Sequence, residues 1–370
     1  MSLTRFIPGS KHFDWPLFLA VLLLVCVGLA ALYSMAQSQD QADYSTLYKQ
    51  IIATAGGMGL LIFFAVIDYR QWRKASKFFY LISLVLLVGV LFFGRTIRGT
   101  RGWLVIGGWQ WQVVEAVKFC LIFFLADFLA NNLALMSFKK IIQSGFLVLI
   151  FFVLVILQPD FGSAMVLFFI WLASLFFSKM PIKYWLVIVG LALVVGAVGW
   201  LWLLQDFQKD RILTFFDPSL DPYGRGYNVT QAKIAVGAGQ IFGRGLGFGT
   251  QSQLRFIPEA QTDFIFAVVA EELGLVGAGL IIGLLALIFW RGIKIAKEAR
   301  DDYGSLLIMF FLGLIFVQAF VNIGMNIGLL PVTGIALPFV SSGGSFLTIC
   351  LALVGVTESV AYQARKIKYT

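Results

Sequence analysis

Three carboxylates and one lysine stand at the ends of strongly apolar segments of the sequence. Glu115 and Lys118 are three residues apart, a spacing that places both on one face of a helix, close enough to pair. Asp160 follows a Gln-Pro turn and Asp263 precedes another apolar run, so each fits either a helix cap or a reactive carboxylate. Taken together, these four residues predict a polar cavity that holds an anionic group beside a base.

The elements that must position these residues are membrane helices. Of the 370 residues, 60% are hydrophobic and 13% are charged, and a typical soluble domain carries about twice that charged share. The apolar residues fall in runs of about 17–25, the length that crosses roughly 30 Å of hydrocarbon. This composition excludes a soluble enzyme and a disordered or collagen-like chain.

Ten apolar segments predict an all-α polytopic membrane protein with ten transmembrane helices, in which residues 1–370 form a single integral-membrane domain. The segments are 15–35, 50–67, 77–94, 113–130, 141–157, 161–178, 183–204, 263–290, 303–328 and 345–362. Residues 205–262 form one large loop between the seventh and eighth helices, and loops of this length are usually functional.

Lysine and arginine residues set the orientation of these helices. With the N-terminus inside, the inner segments hold 17 of these residues and the short outer segments hold 4. Because short cytoplasmic loops carry the excess positive charge, both termini are predicted to be cytoplasmic and the loop 205–262 periplasmic. The same rule explains the net charge of +9 without nucleic acid as a partner. One basic cluster, Arg95, Arg98 and Arg101, falls on the outer side.

Four further acids lie within the predicted helices. Glu271 and Glu272 are about 12–14 Å deeper than Asp263 at 1.5 Å per residue. This places them near the middle of the bilayer and predicts pairing inside the helix bundle. Asp127 and Glu358 lie near inner helix ends, where snorkelling to water explains them.

A glycine-rich segment, residues 237–249, contains fragments of phosphate-binding patterns. It follows no βαβ unit, which argues against a nucleotide-binding fold. Two interpretations stay open: its backbone amides contact a phosphate or a sugar, or the segment is a flexible turn.

Two blocks of motifs resemble the SEDS family (shape, elongation, division and sporulation). In the large loop and beyond, the matching residues are Asp217-Pro218, Gly226-Tyr227, Gln231 to Gly237, Gly243-Arg244-Gly245, Gly249-Thr250-Gln251, Phe256 to Glu259, Thr262 to Phe266 and Glu271 to Gly274. Near the C-terminus they are Asn322 to Met325, Leu330 to Gly334, Leu337-Pro338 and Ser341 to Ser345. The similarity covers all ten predicted helices, and the loop is most like the rod-shape members of the family rather than the septal ones.

The resemblance implies a peptidoglycan glycosyltransferase of the bacterial inner (cytoplasmic) membrane. Such an enzyme polymerises lipid II into glycan strands at the periplasmic face during cell elongation. Its partners are a class B penicillin-binding protein, which is a transpeptidase, other proteins of the elongation complex, and membrane lipids. In that family the aspartate that matches Asp263 is the essential catalytic carboxylate, and residues that match Glu115 and Lys118 also matter.

Each of these residues has an expected role in glycosyl transfer. Asp263 is expected to take the proton from the attacking sugar hydroxyl. Lys118 is expected to balance the charge that develops on the leaving pyrophosphate, with Arg101 and Arg211 as weaker candidates. Glu115 would keep Lys118 charged and oriented.

Asp160 would shape the cavity or help to bind a divalent ion. No cofactor is certain, and a divalent cation such as Mg²⁺ or Mn²⁺ on the pyrophosphate is the open alternative, although the sequence contains no dedicated metal cage. Three sites depart from the family, at Gln112-Val113-Val114-Glu115, at Arg101-Gly102-Trp103 and at Ser342, where the family usually has tyrosine.

Two other functions fit the same helices, namely a lipid II flippase and a non-catalytic scaffold of the cell-wall synthesis complex. Transporters usually place their site near the membrane midplane between repeated, broken helices. Here the charged residues gather at one rim and no internal repeat is visible, which favours an enzyme.

Overall fold

The computed structural model describes residues 13–37, 43–130, 137–178, 180–198 and 225–368, with isolated positions between 201 and 217. Arg211 and most of residues 205–224, the first part of the predicted loop 205–262, lie outside the described residues. The helices are α1 (Trp15–Gln37), α2 (Ser45–Val66), α3 (Tyr69–Lys74), α4 (Ser76–Phe93), α5 (Val113–Ala130), α6 (Phe138–Ile156), α7 (Phe161–Phe177), α8 (Ile182–Val198), α9 (Arg225–Ala238), α10 (Thr250–Gln253), α11 (Ile265–Glu298), α12 (Asp302–Asn326) and α13 (Gly344–Lys368).

Seven of these helices, α1, α2, α4, α6, α11, α12 and α13, are long and apolar enough to cross a membrane. Helices α7 and α8 are apolar but shorter as described, and α5 has 18 residues and contains three charged side chains, Glu115, Lys118 and Asp127. Each of the ten predicted segments overlaps one of these ten helices over the residues that the structure describes. The prediction of a mostly helical polytopic membrane protein is confirmed.

A small antiparallel sheet between α4 and α5 contradicts the all-α prediction. Its strands are β1 (Arg95–Ile97), β2 (Thr100–Ile106) and β3 (Trp109–Gln112), hydrogen-bonded in chain order. Both connections are two-residue turns, Arg98-Gly99 and Gly107-Gly108, in which every residue has a positive φ. Such turns match the twist of paired strands, so the Gly-Gly pair between β-branched and aromatic residues is a hairpin signal.

Close approaches of backbone pack the helices into one bundle. Helix α13 lies largely buried against α2, and a Cβ on Gly355 would lie 2.2 Å from the Leu61 carbonyl oxygen. Gly28 on α1 meets the backbone of Val340 in the same way. Small residues at such crossings let helices pack closely without help from the hydrophobic effect, which is absent between helices in lipid.

Helix α11 is interrupted at Gly274, which has φ 65° and ψ −159°. The chain before α10 occupies the break: the amides of Arg244 and Gly245 donate to the carbonyls of Glu271 and Glu272, at 3.0 and 2.9 Å. On the other side of the break, the amides of residues 275 and 276 donate to the carbonyls of residues 240 and 241. These amides of the glycine-rich segment are therefore engaged within the protein, not held open for a phosphate or a sugar.

Ionic contacts join α1, α11 and α13 at the end of the bundle that is predicted to be cytoplasmic. The buried carboxylate of Asp14 accepts hydrogen bonds from Arg291, with Nε at 2.9 Å, and from Arg365. Burial raises the pKa of Asp14, but the two guanidinium groups outweigh burial and hold the pKa below its ordinary value. The Asp14 amide donates to Glu358 at 2.9 Å. Glu358 is buried, so the prediction that it snorkels to water is wrong.

Asp127 also has protein partners. Its carboxylate accepts hydrogen bonds from Arg73 Nε at 2.8 Å and from Ser76 Oγ at 2.7 Å. This pairing, rather than snorkelling, accounts for a charge near the inner end of α5.

Candidate active site

Asp263 lies on the turn that leads into α11. Helix α11 begins at Ile265, and its cap residue is Phe264, without a side-chain capping bond. Asp263 therefore precedes the cap position itself. The residue is partly exposed, and its carboxylate lies beside Gly334, where a Cβ would be 3.6 Å from Asp263 Oδ2.

Two buried asparagines of α12 hold the backbone of this turn. Asn322 and Asn326 each donate a side-chain hydrogen bond of 2.9 Å to the carbonyl oxygen of Asp263. Asn322 also donates to the Ile335 carbonyl at 2.8 Å, and Asn326 Oδ1 accepts the amide of Ala267 at 3.0 Å. Buried amides that satisfy their hydrogen bonds fix backbone geometry, because each lost bond exposes a polar group to an apolar interior.

The segment between α12 and α13, residues 327–343, is here called the connecting segment, and it joins the parts of the site. Ser341 Oγ donates to the carbonyl of Thr262 at 2.6 Å, and the Ser342 amide donates to the carbonyl of Gln261 at 2.9 Å. From α2, the buried Gln50 donates through Nε2 to the Ser341 carbonyl at 3.1 Å. The connecting segment therefore adds hydrogen bonds to the turn of Asp263 beyond those of the asparagines.

The predicted ion pair on α5 is present in the structure. Lys118 Nζ lies 2.7 Å from Glu115 Oε1, and the two residues are only 2% and 5% exposed. Glu115 Oε2 is buried and has no hydrogen-bond partner among the described residues. Lys118 Nζ also lies 5.7 Å from the ring centroid of Phe346, in the first turns of α13. The pair is thus next to the end of the connecting segment.

Asp160 caps α7, as one of its two sequence interpretations predicts. Its Oδ1 accepts the amide of Ser163 at 2.9 Å, and its Oδ2 accepts Gln112 Nε2 at 3.1 Å. The backbone amide of Gln112 donates to Ser345 Oγ at 3.0 Å, at the start of α13. Through Gln112, the structure brings Asp160 to the same face as the connecting segment.

The predicted cations have different surroundings. The guanidinium of Arg101 donates to the carbonyls of Phe92 and Gly94, at 3.1 and 3.3 Å, and so caps the end of α4. Arg98, in the same basic cluster, pairs with Glu259 ahead of the Asp263 turn. Arg211 lies outside the described residues.

Sequence analysis did not select Lys233, whose side chain is exposed on α9. Its Cε and Nζ lie directly over Gly328, where a Cβ would be 1.8 Å from Cε. Gly328 is the second residue of the connecting segment and lies two residues after Asn326, so the ammonium group lies beside the start of this segment. The motif Gln231 to Gly237 was the available signal, but the motif alone does not show which cation faces the site.

The amides that hold the site were also missed as positioning residues. Gln50, Asn322 and Asn326 are polar side chains inside predicted apolar helices, and the sequence search considered only ionisable groups there. A buried amide without a partner is costly, so an amide within a span is itself a signal of a structured polar site.

Glu271 and Glu272 form the predicted pairings inside the bundle. Glu271 accepts the amides of Gln251 and Ser252, at 2.8 and 2.9 Å. Glu272 Oε1 accepts Ser34 Oγ at 2.6 Å and Gln253 Nε2 at 3.0 Å. Both glutamates therefore hold α10 and α1 against α11 rather than face the Asp263 turn.

Within the described residues, no group of three or more His, Cys, Asp or Glu side chains could hold a metal ion. Both oxygens of Asp160 already accept hydrogen bonds. The divalent cation stays a prediction.

A bundle of membrane helices with a polar rim, a partly exposed carboxylate and a buried acid–lysine pair defines the class of this protein. The family of cell cycle proteins that includes FtsW, RodA and SpoVE matches residues 14–366. The chain belongs to this family, the SEDS family.

Relatives and solved structures agree with this assignment. The chain is 37% identical over 356 residues to peptidoglycan glycosyltransferase MrdB of Escherichia coli, covering 94% of this chain and 93% of the relative. It is also 37% identical over 365 residues to stage V sporulation protein E of Bacillus subtilis, covering 95% and 98%.

Among solved structures, one of a peptidoglycan synthase complex that coordinates polymerization and crosslinking superimposes with a TM-score of 0.83 at 31% identity, covering 95% of this chain and 98% of that one. Rod shape determining protein RodA of Thermus thermophilus superimposes with a TM-score of 0.70 at 28% identity, covering 94% and 96%. The predicted similarity to the rod-shape members of the family is confirmed.

Proposed function

We propose that this chain is a peptidoglycan glycosyltransferase that polymerises lipid II into glycan strands during cell elongation. The observation that carries the proposal is the Asp263 turn, where buried asparagines and the connecting segment immobilise the backbone of a carboxylate that stays partly exposed. A carboxylate held in one place and reachable by substrate is what general-base catalysis requires. The family and the name of the Escherichia coli relative agree with this activity.

In this mechanism Asp263 removes the proton from the 4-hydroxyl of the acceptor sugar as that oxygen attacks the anomeric carbon of the donor. The bond from the anomeric carbon to the pyrophosphate-linked lipid breaks in the same step, and the pyrophosphate leaves with the electron pair. Because the turn is fixed by hydrogen bonds before substrate arrives, little reorganisation is needed at the moment of transfer.

Cations balance the charge on the leaving pyrophosphate. Lys118 is the first candidate from the sequence, and Glu115 orients it, with Oε1 2.7 Å from Nζ. Its deep burial suits a role in the field of the site more than direct contact with a phosphate. Lys233, exposed beside Gly328 of the connecting segment, is better placed for that contact, with Arg101 and Arg211 as further candidates.

Asp160 supports this site by joining α7 to Gln112 and hence to the start of α13. We assign it a shaping role. A divalent cation such as Mg²⁺ or Mn²⁺ on the pyrophosphate would need oxygen ligands partly supplied by the substrate, as is usual for magnesium.

The proposed topology has ten crossings of the bacterial inner membrane within a single integral-membrane domain, with both termini in the cytoplasm and residues 205–262 on the periplasmic side. Its support is the positive charge of the short inner segments and the position of the polar site at the opposite rim. Lipid II presents its sugars on that side.

The proposed partner is a class B penicillin-binding protein, within an elongation complex. The solved complex that this chain resembles unites polymerization with crosslinking. A transpeptidase bound at the outer rim would receive the new glycan strand as it leaves the polymerase.

A lipid II flippase is the second candidate, and the interruption of α11 favours it, because broken helices are typical of transporters. However, the protein fills this break with its own backbone, whose amides and carbonyls bind both halves of the helix. A transport site needs these groups exposed to substrate, so the polymerase is the better account.

Replacing Asp263 tests the polymerase proposal. Asp263→Asn keeps the volume of the side chain and leaves the backbone bonds of the turn intact, but an amide cannot accept the hydroxyl proton. Polymerisation of labelled lipid II by purified protein, alone and with the partner, should fall by at least about a hundredfold.

The matched control is Glu259→Gln, which makes the same chemical change four residues earlier and alters an exposed pair with Arg98 and an exposed hydrogen bond from Thr262 Oγ1. This control should keep the parent rate, and both variants should match the parent in membrane abundance. Near-parent polymerisation by Asp263→Asn would remove Asp263 as the base and favour the flippase.

A further inference from the structure

Residues 239–256, here called the docked loop, expose large apolar side chains although sequence analysis places them in a periplasmic loop. Phe242 and Phe248 are 82% and 75% exposed, and Ile241 and Leu246 are also exposed. Leu254 and Phe256 are exposed as well. Six such residues in one short segment need an apolar environment, since monomeric soluble surfaces rarely carry such a patch.

The segment formed by α9 and the docked loop runs alongside α11 from the Asp263 turn towards Gly274. Ala232 and Ala235 of α9 share a small apolar cluster with Phe264 and Ala267, at the start of α11. Further along, a Cβ on Gly239 would lie 1.8 Å from the carbonyl oxygen of Ala270. The break in α11 comes next, where the loop is bonded to residues 271–276. The chain therefore runs along α11 as far as the break at Gly274, and α10 then leads back towards the Asp263 turn.

The depth of the loop relative to the membrane can be estimated along two helices, α1 and α11. Asp14 contacts Arg291 at one level of the bundle, and Ser34 contacts Glu272 at another. Along α1 and along α11 these levels are separated by about 30 Å at 1.5 Å per residue, which is the thickness of the hydrocarbon core. With Asp14 at the inner boundary, Glu272 lies at the outer boundary. On this estimate Glu272 lies further out than the bilayer middle that the sequence predicts for it.

The lipid-facing surface of α11 continues into the docked loop. Leu275 and Val276 are exposed residues of an apolar span, and their amides are bonded to the loop carbonyls of residues 240 and 241. Ile241 and Phe242 therefore stand at the same height as side chains that face acyl chains. The Arg244 side chain lies close to these residues. Its Nε donates to the Ala238 carbonyl at 3.3 Å, at the C-terminal end of α9, where the helix dipole favours a cation.

Part of the backbone of the docked loop has its hydrogen bonds satisfied by the protein. Within lipid, irregular backbone is tolerated only where its polar groups are satisfied by protein. The amides of Gly243, Arg244, Gly245 and Phe248 all donate to backbone carbonyls. These four amides need no water.

We propose that the docked loop is a membrane anchor that inserts Ile241, Phe242, Leu246 and Phe248 into the outer leaflet. Its partner is the lipid surface at the boundary between headgroups and acyl chains, where amphipathic elements bury their apolar side chains. The level measured along α1 and α11 and the continuity with Leu275 and Val276 favour lipid over a protein partner.

Spin labels at single cysteines test the insertion. In a full-length chain lacking Cys26, Cys120 and Cys350, Phe242→Cys and Phe248→Cys are labelled, and the protein is reconstituted in phosphatidylethanolamine–phosphatidylglycerol vesicles. Relaxation by oxygen, which concentrates in lipid, is compared with relaxation by a water-soluble nickel chelate.

Val276→Cys provides the lipid reference and Gln110→Cys, exposed on β3, the aqueous one. Both loop labels should resemble Val276 in their oxygen-to-nickel ratio. Ratios equal to that at Gln110 would overturn the anchor and leave the apolar residues for a protein partner.

A glycine substitution tests whether docking causes the insertion. A Cβ on Gly243 would lie 2.1 Å from the Glu272 carbonyl oxygen, so Gly243→Ala should displace the loop and make the label at residue 242 accessible to nickel. Gly279→Ala is the matched control, because a Cβ there meets no neighbour within 4 Å. An unchanged label in Gly243→Ala would contradict the docking argument, provided that the variant reaches the membrane at the parent level.

Discussion

At the scale of single residues, the Glu115–Lys118 pair is the most tightly constrained part of the site. Both side chains are buried, and one oxygen of Glu115 already lacks a hydrogen-bond partner among the described residues. Breaking a buried pair from one side leaves an uncompensated charge, which costs about 3–5 kcal/mol, whereas removing both charges is far less costly.

Lys118→Met should therefore lower the unfolding free energy by about 3–5 kcal/mol, measured by thermal or denaturant unfolding in detergent. The double variant Glu115→Gln/Lys118→Met should recover most of that stability. It should not recover polymerisation, because the positive charge is still missing. Full activity in the double variant would assign the pair a structural role only.

Residues whose partners are near in sequence were predictable, and those with distant partners were not. The Glu115–Lys118 pair and the Asp160 cap both depend on residues three positions away, a distance that helix geometry fixes. Asn322 and Asn326 bind the carbonyl of Asp263 across 59 and 63 residues. Only the folded bundle shows that two amides of α12 meet a turn before α11.

At the scale of elements, the ionic contacts of Asp14 join three helices. The folded pKa of Asp14 is held below its ordinary value of 3.8, because hydrogen bonds and charge from Arg291 and Arg365 outweigh burial. A group with a lowered folded pKa contributes stability above its unfolded pKa and loses that contribution as pH falls through the folded value.

Acidification should therefore destabilise the parent protein below pH 3.8 more steeply than the variant Asp14→Asn, which has no carboxylate to protonate. At neutral pH the variant should already unfold at a lower temperature, because two guanidinium groups have lost their partner. Thermal unfolding in detergent across this pH range, followed by near-ultraviolet circular dichroism, checks both statements. Parallel pH profiles for parent and variant would contradict the argument.

Helices were predictable because the bilayer sets their length, and the other elements were not. The sheet at 95–112 lies in a short outer segment where a search for apolar runs finds nothing, although its Gly-Gly turn was visible in the sequence. The interruption at Gly274 depends on the docked loop, since a broken helix at this depth needs backbone partners from elsewhere in the chain. No periodicity within α11 indicates that partner.

At the scale of the whole molecule, orientation decides whether the site faces lipid II. In a background without native cysteines, Gln110→Cys on β3 should react with an impermeant thiol reagent in intact cells. Lys297→Cys, in the last turn of α11 at the opposite end of the bundle, should react only after the inner membrane is opened. Both positions are exposed in the structure, so accessibility alone does not separate them. The reverse pattern would overturn the proposed topology.

The contact between Asp14 and Arg365 has a consequence for biosynthesis. The two residues are 351 positions apart, so at 5–20 residues per second the carboxylate at the start of α1 waits roughly 20–70 s for this partner. The connecting segment that fixes the Asp263 turn is also made late, just before α13. A chain that ends before α13 therefore has neither the Asp14–Arg365 contact nor the contacts of Ser345 and Phe346 with the rest of the site.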